Sequence, residues 1–231
     1  MKKILLIGDS MLVGRTREWV EFLIQKTYDG KIKTLGHSDK FVQTESFKIY
    51  NLSHPGAGNF YMHGRLIEFL ETNELPDYVY LQFSGLHRID LHLSKSFNTK
   101  MFNPSYETVK ETEWFKWLIS GGSSGIWTEE RSSQKILLPF YTDQNITNCK
   151  MLSLSYIQNC ITILTNLKVK FNWTSWYNYF NPPGKFIKEC EGKLLKWPFW
   201  FNTQGYIEDH PINYGENYKE FLDKNKNKFV L

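Results

Sequence analysis

A chain that opens Lys2-Lys3-Ile4-Leu5-Leu6-Ile7-Gly8-Asp9-Ser10 has few folds open to it. The aliphatic run from Ile4 to Ile7 begins almost at the first residue and stops abruptly at Gly-Asp-Ser. An amphipathic helical pattern takes over from Arg17. A continuous apolar run of this length marks a strand buried on both faces of a parallel sheet. In open sheets of that kind, ligands bind beyond the carboxyl ends of the strands. There Gly8 permits a tight turn and Ser10 arrives at the start of the next helix. A serine so placed is a nucleophile or a helix N-cap, and on the tripeptide alone the cap is the commoner reading.

The following segments keep the same rhythm. Trp19, Phe22, Leu23 and Lys26 continue a helical period to about Gln25, and Tyr28-Asp29-Gly30 ends it. Phe47 to Leu52 is a second strand, with Ser53-His54-Pro55-Gly56-Ala57-Gly58-Asn59 as the loop at its carboxyl end. Met62, Leu66, Phe69 and Leu70 lie on a helix that stops before Pro76. Tyr78 to Phe83 is a third strand, followed by Ser84-Gly85-Leu86-His87-Arg88-Ile89-Asp90. Strand, helix, strand, helix, strand predicts a mostly parallel α/β sheet with right-handed crossovers. The 231 residues suit one large domain, 1–231, with room for a substantial core.

Residues 91–148 break that rhythm and read as an insertion or lid over the strand ends. The segment holds a short helical candidate from Val109 to Ile119, a Gly/Ser stretch from Ser120 to Gly125, and an apolar run from Lys135 to Phe140. The Gly/Ser stretch is not a phosphate loop, because no Lys-Ser or Lys-Thr follows it. Met151 to Leu167 is a further helix, with Ile157, Cys160, Ile161 and Leu164 on one face. Val169 to Trp173 is a fourth strand, and Asn213 to about Leu222 a final helix.

Composition narrows the function classes. No apolar run approaches the ~18 residues of a membrane span. The stretch before Gly8 and Asp9 is too short for a secretory signal core. A cytoplasmic protein without membrane partners is therefore expected. A net charge of +4, with basic residues scattered, gives no nucleic-acid patch; the Lys224, Lys226, Lys228 cluster reads as a solvated end. Cys149, Cys160 and Cys190 have no paired spacing and read as reduced thiols without a metal role. No metal or organic cofactor is implied, and the oligomeric state is left open.

Four loops then carry the groups that acyl transfer needs. Ser10 follows the first strand, Gly56 and Gly58 the second, Gly85-Leu86-His87 the third, and Asp209-His210-Pro211 stands before the last helix. They supply a nucleophile, backbone amides for an oxyanion, a polar donor and a base. Taken singly, Gly56 and Gly58 are ordinary turn residues, and His87 is as readily structural as functional. His37, His54, His63 and His92 read as surface or structural.

In order and spacing these blocks resemble the SGNH/GDSL hydrolase superfamily, and Tyr80-Leu81-Gln82-Phe83-Ser84-Gly85 with Arg88-Ile89-Asp90 is similar to members encoded by bacteriophages and marine bacteria. Gly8-Asp9-Ser10 matches its first block and Gly56-Ala57-Gly58-Asn59 its second. Gly85-Leu86-His87-Arg88 stands at the third, with His87 in the place of the usual asparagine. His210-Pro211 matches the last, with Ile207 where the usual aspartate stands. The resemblance implies a flavodoxin-like three-layer α/β/α sandwich and a serine esterase or O-deacetylase. Ser10 would attack an ester carbonyl, His210 would serve as base and then acid, and Asp209, or less readily Glu208, would orient the imidazole. The N–H groups of Ser10 and Gly56, with His87, would receive the oxyanion. Asp9 would organise the turn, while Asn59, Arg88 and Trp176 would meet the substrate. Arg88 would alternatively stabilise the oxyanion. A small-molecule or carbohydrate ester, such as an acetylated sugar, is the expected substrate. The departures at Ile207 and His87 leave two rivals open. One is an SGNH-like binding module for a glycan or protein that has lost turnover. The other is an O-acyltransferase using the same residues.

Overall fold

The opening run is strand β1 (Lys2–Ile7), and Ile4, Leu5, Leu6 and Ile7 are all buried. The structure is a computed structural model that describes residues 1–35, 39–86, 88, 90–96, 109–112, 116–119, 143–175 and 214–229. After β1 come α1 (Ser10–Val13), α2 (Thr16–Ile24), β2 (Lys33–Leu35), β3 (Asp39–Gln43), β4 (Phe47–Asn51), α3 (Asn59–Thr72) and β5 (Tyr78–Phe83). The short strands β6 (Leu91–Leu93), β7 (Val109–Glu111) and β8 (Lys116–Leu118) follow. Then come α4 (Asp143–Asn166), β9 (Lys170–Ser175), α5 (Tyr214–Lys224) and a 3-10 turn at Lys226–Lys228.

The main sheet has six strands in the order β2-β3-β4-β1-β5-β9. The pairs β4/β1, β1/β5 and β5/β9 are parallel, while β2/β3 and β3/β4 are antiparallel. The central strand reads as a continuous apolar run because both of its faces are covered. Leu5 and Ile7 pack in one core with α3 and α4 residues such as Met62, Leu66, Ile161 and Leu164. Ile4 and Leu6 pack in the other with Trp19 and Val20 of α2 and Tyr218, Phe221 and Leu222 of α5. Across that second core Trp19 Nε1 donates to Tyr218 Oη at 3.1 Å, tying the first helices to the last.

The chain leaves β1 for β4 on one side and then crosses back to β5 on the other. That reversal is a topological switch point, and the crevice of such a sheet opens beyond the carboxyl ends of the two strands that flank it. Here those strands are β1 and β5, whose ends carry Gly8-Asp9-Ser10 and Ser84-Gly85-Leu86.

Two features differ from the sequence reading. The helical candidate from Val109 to Ile119 is instead two strands, β7 and β8, in a three-stranded antiparallel sheet ordered β6-β8-β7. The burial repeats every second residue, with Trp117 and Ile119 inside and Lys116 half-buried, which is a strand period rather than a helical one. Trp117 packs on α3, edge-on to Phe60 and Tyr61. The other difference is the added edge pair β2 and β3. All three residues of β2 are exposed, so no apolar alternation announced it. The run Lys135 to Phe140 lies outside the described residues.

Polar contacts fix the small sheet as well. Lys110 of β7 is buried and pairs with Asp39 at 3.2 Å, and Asp39 also accepts from Arg65 of α3 at 2.9 Å. Arg65 in turn pairs with Glu68 at 2.5 Å. Burial lowers the Lys110 ammonium below its ordinary pKa, against the neighbouring carboxylates that favour its charge. Among the described residues, no helix is long and apolar enough to cross a membrane.

Candidate functional site

Ser10 is the first residue of α1, and the Asp9 carbonyl accepts the first bonds of that turn from Leu12 N–H at 2.9 Å and Val13 N–H at 3.1 Å. Asp9 is thus the capping position by backbone geometry, and Ser10 contributes one of the N–H groups that a helix start leaves without an internal partner. The Ser10 side chain lies outside the described atoms. The one-turn helix is held from β4, since Asn51 Nδ2 donates to Leu12 C=O at 2.9 Å and Thr16 Oγ1 at 3.1 Å. Gly8 is needed for close approach. A Cβ at that position would stand 2.9 Å from Gln82 Cβ and 3.2 Å from Leu12 Cβ.

The Asp9 side chain is fully buried and turned toward β5. Its Oδ1 accepts from Gln82 Nε2 at 3.0 Å, and its Oδ2 faces Arg88 Nη1 at 3.4 Å. A buried carboxylate needs such partners, because removing it from water without them is costly. Gln82 was a signal the sequence offered and the reading passed over: one polar residue at the end of an otherwise apolar strand.

The loop after β4 folds back beside this turn. His54 N–H donates to Gly8 C=O at 3.1 Å, so the two loops continue the β1/β4 pairing beyond the strand ends. Ala57 N–H then donates to His54 C=O at 3.2 Å, closing a four-residue turn, His54-Pro55-Gly56-Ala57. Gly56 has φ of 74°. Proline second and a glycine with positive φ third define a type II turn. The His54 ring is buried, and its Nδ1 lies 2.8 Å from Pro55 C=O. Tyr61 sits beside that ring with centroids 5.7 Å apart, and its hydroxyl donates to Leu52 C=O at 3.3 Å. Burial pushes the Tyr61 phenol above its ordinary pKa, keeping it neutral and able to donate.

The third loop braces the other two. Arg88 Nη1 donates to Ala57 C=O at 3.1 Å as well as facing Asp9, so one guanidinium bridges the loops after β1 and β4. Asp90 takes the start of α3. Its carboxylate accepts from Gly58 N–H at 3.0 Å and from Tyr61 N–H at 3.0 Å. A negative group there also complements the helix dipole. Asn59, the first residue of α3, is fully buried with its amide bonded through both nitrogen and oxygen. Its Nδ2 donates to Ser84 C=O at 3.2 Å and Ser153 Oγ at 2.9 Å, and its Oδ1 accepts from Ser84 N–H at 2.9 Å. Asp90, Ser153 and His54 were not among the expected site residues; Asp90 and His54 act through backbone groups and Ser153 through the Asn59 amide, contacts that no motif spells out.

The expected residues therefore divide. Asp9, Gly56, Asn59 and Arg88, with the backbone start of Ser10, meet at the carboxyl ends of β1, β4 and β5. His87, Trp176, Asp209 and His210 lie outside the described residues, as does Ile207. Cys149 and Cys160 are free thiols, and burial raises the pKa of both. Comparison with family models, with curated proteins and with solved structures finds no match for this chain.

Proposed function

We propose that this chain is a serine ester hydrolase of the SGNH/GDSL type that cleaves an O-acyl ester, with an acetylated carbohydrate as the substrate class. The observation that carries the reading is the meeting of two turns at the switch point of the sheet. The Gly8-Asp9-Ser10 turn, which delivers Ser10 to a helix start, is hydrogen-bonded through His54 N–H to Gly8 C=O against a turn whose third residue, Gly56, has a left-handed φ. Backbone N–H groups from two such turns are the kind of fixed donors that stabilise a tetrahedral oxyanion.

In this reading Ser10 Oγ attacks the ester carbonyl carbon while His210 accepts the hydroxyl proton. The carbonyl oxygen becomes an oxyanion received by the N–H groups of Ser10 and Gly56, with His87 as a third donor. His210 then gives its proton to the departing alcohol as the C–O bond breaks, leaving an acyl-serine. Water, deprotonated by His210, attacks the acyl group and returns the acid and the free serine. Asp209 orients the imidazole. The SGNH/GDSL resemblance, with its flavodoxin-like sandwich, is supported by the strand order β4-β1-β5-β9, the 2-1-3-4 order of such doubly wound sheets.

The experiment is turnover of 4-nitrophenyl acetate and of O-acetylated sugars by the purified protein. Hydrolysis in the wild type with a loss of at least ~10³-fold in Ser10→Ala is expected, since removing the nucleophile of a serine hydrolase costs up to ~10⁶-fold in kcat. Binding of a glycan without turnover, unchanged in Ser10→Ala, would replace the hydrolase by a binding module. Acyl transfer to an added sugar in preference to water would replace it by an acyltransferase.

A further inference from the structure

The type II turn at Gly56 has one peptide unit that decides whether an N–H group is in place for an oxyanion. In turns of types I and II the chain path is nearly the same, and the difference is the orientation of the peptide between the second and third residues. Here that unit is Pro55 C=O with Gly56 N–H. Pro55 does not choose between the two types, because its fixed φ suits both. Gly56 does not choose either, since glycine accepts positive and negative φ about equally. A separate contact must hold the unit, and the structure has one. His54 Nδ1 lies 2.8 Å from Pro55 C=O. A carbonyl only accepts, so Nδ1 carries the proton and donates.

We infer that His54 is a positioning residue for the oxyanion site: its Nδ1–H holds the Pro55 carbonyl and thereby fixes the Gly56 N–H. In a trans peptide the C=O and N–H point to opposite sides. Anchoring the carbonyl on the imidazole therefore keeps the N–H on the far side of the peptide plane. The ring is itself enclosed: His54 is 3% exposed, it packs against Tyr61, and the residue's backbone N–H is tied to Gly8 C=O. The flanking atoms of the turn are pinned separately, with Ala57 C=O on Arg88 and Gly58 N–H on Asp90. The Pro55 carbonyl is held by the His54 ring. This role rests on the esterase reading and adds a residue to it that does not touch the reacting atoms.

The test uses two variants of the full chain. His54→Phe keeps a ring against Tyr61 and removes the donor, while His54→Asn places an amide N–H near the position of Nδ1. The readouts are kcat and KM on 4-nitrophenyl acetate, and the backbone ¹⁵N and ¹H shifts of Gly56, which respond to a peptide flip without any activity. His54→Phe should lower kcat by ~10²–10³-fold, the effect of losing one oxyanion donor, with KM within about twofold. His54→Asn should recover to within about tenfold of wild type. The Gly56 shifts should move in the Phe variant and return in the Asn variant. Unchanged Gly56 shifts in folded His54→Phe would overturn the lock itself. Moved shifts with an unchanged kcat would overturn the positioning role while leaving the esterase intact. A wild type without turnover, whatever the shifts do, would overturn the esterase reading and this role with it. If the Phe variant does not fold, an Asn variant whose Gly56 shifts are displaced from wild type while its kcat is unchanged would also overturn the role.

Discussion

Gly56 stands at the third position of a type II turn with φ of 74°, a region where an L side chain clashes with its own backbone. Replacing it by alanine should therefore destabilise the fold by about 1–2 kcal/mol, the cost of a left-handed residue, read as a lower midpoint in urea with an unchanged slope. A turn that relieves the strain by flipping the Pro55–Gly56 peptide would also lose ester turnover, so kcat should fall more than stability alone explains. A Gly56→Ala protein as stable and active as wild type would show that the turn has another form in solution. At this scale the sequence was partly legible. Pro-Gly inside a loop announces a turn through the fixed φ of proline and the freedom of glycine. What it did not announce was His54 folding onto its neighbour's carbonyl. An imidazole that donates to the adjacent residue leaves no spacing pattern, and the same letter at a surface would read identically. Asp90 is similar. It lies 29 residues from Tyr61 in sequence, and only the fold brings its carboxylate to the start of α3.

Helix α4 ends in a Schellman motif. Val169 N–H donates to Leu164 C=O at 3.0 Å and Lys168 N–H to Thr165 C=O at 3.0 Å, while buried Val169 and Leu164 share the core. Glycine is the usual residue at the left-handed position of this motif, yet Lys168 occupies it with φ of 55°. Lys168→Gly should accordingly stabilise the protein, by about 1 kcal/mol once the greater freedom of glycine in the unfolded chain is set against the strain removed. The midpoint of thermal unfolding would rise; a fall would mean that the lysine side chain contributes more than its backbone strain removes. Among the elements, strands buried on both faces were the most readable, because their aliphatic runs leave little alternative. The Val109–Ile119 segment was misread because Val109, Lys110, Trp117 and Ile119 are too few and too interrupted to separate a period of 3.6 from one of 2. Burial of Lys110 against Asp39 hides a charge where a pattern reader expects an apolar side chain. The β2–β3 pair was unreadable for the opposite reason: an exposed edge strand carries polar residues, as edges do to resist pairing with other chains.

For the molecule as a whole, the order of strands does what no single residue can. Placing β1 between β4 and β5 brings loops separated by more than seventy residues to one edge, where Asp9 meets Gln82 and Arg88 and where His54 meets Gly8. The alternation of strands and helices made the convergence of the loops carrying Ser10 and Gly56 predictable, while Asn59 and Arg88 were expected there through the family resemblance. Their roles were less predictable. Asn59 and Arg88, expected at the substrate, have hydrogen bonds that join one loop to another. The proposed chemistry depends on whether Ser10, delivered to this edge, is an activated nucleophile. Fluorophosphonate labelling of the folded protein, mapped by mass spectrometry, asks that directly. The account predicts an adduct on Ser10 that disappears in Ser10→Ala and forms more slowly in His210→Ala. A folded protein that takes up no label at Ser10, or takes it up equally well without His210, would contradict it.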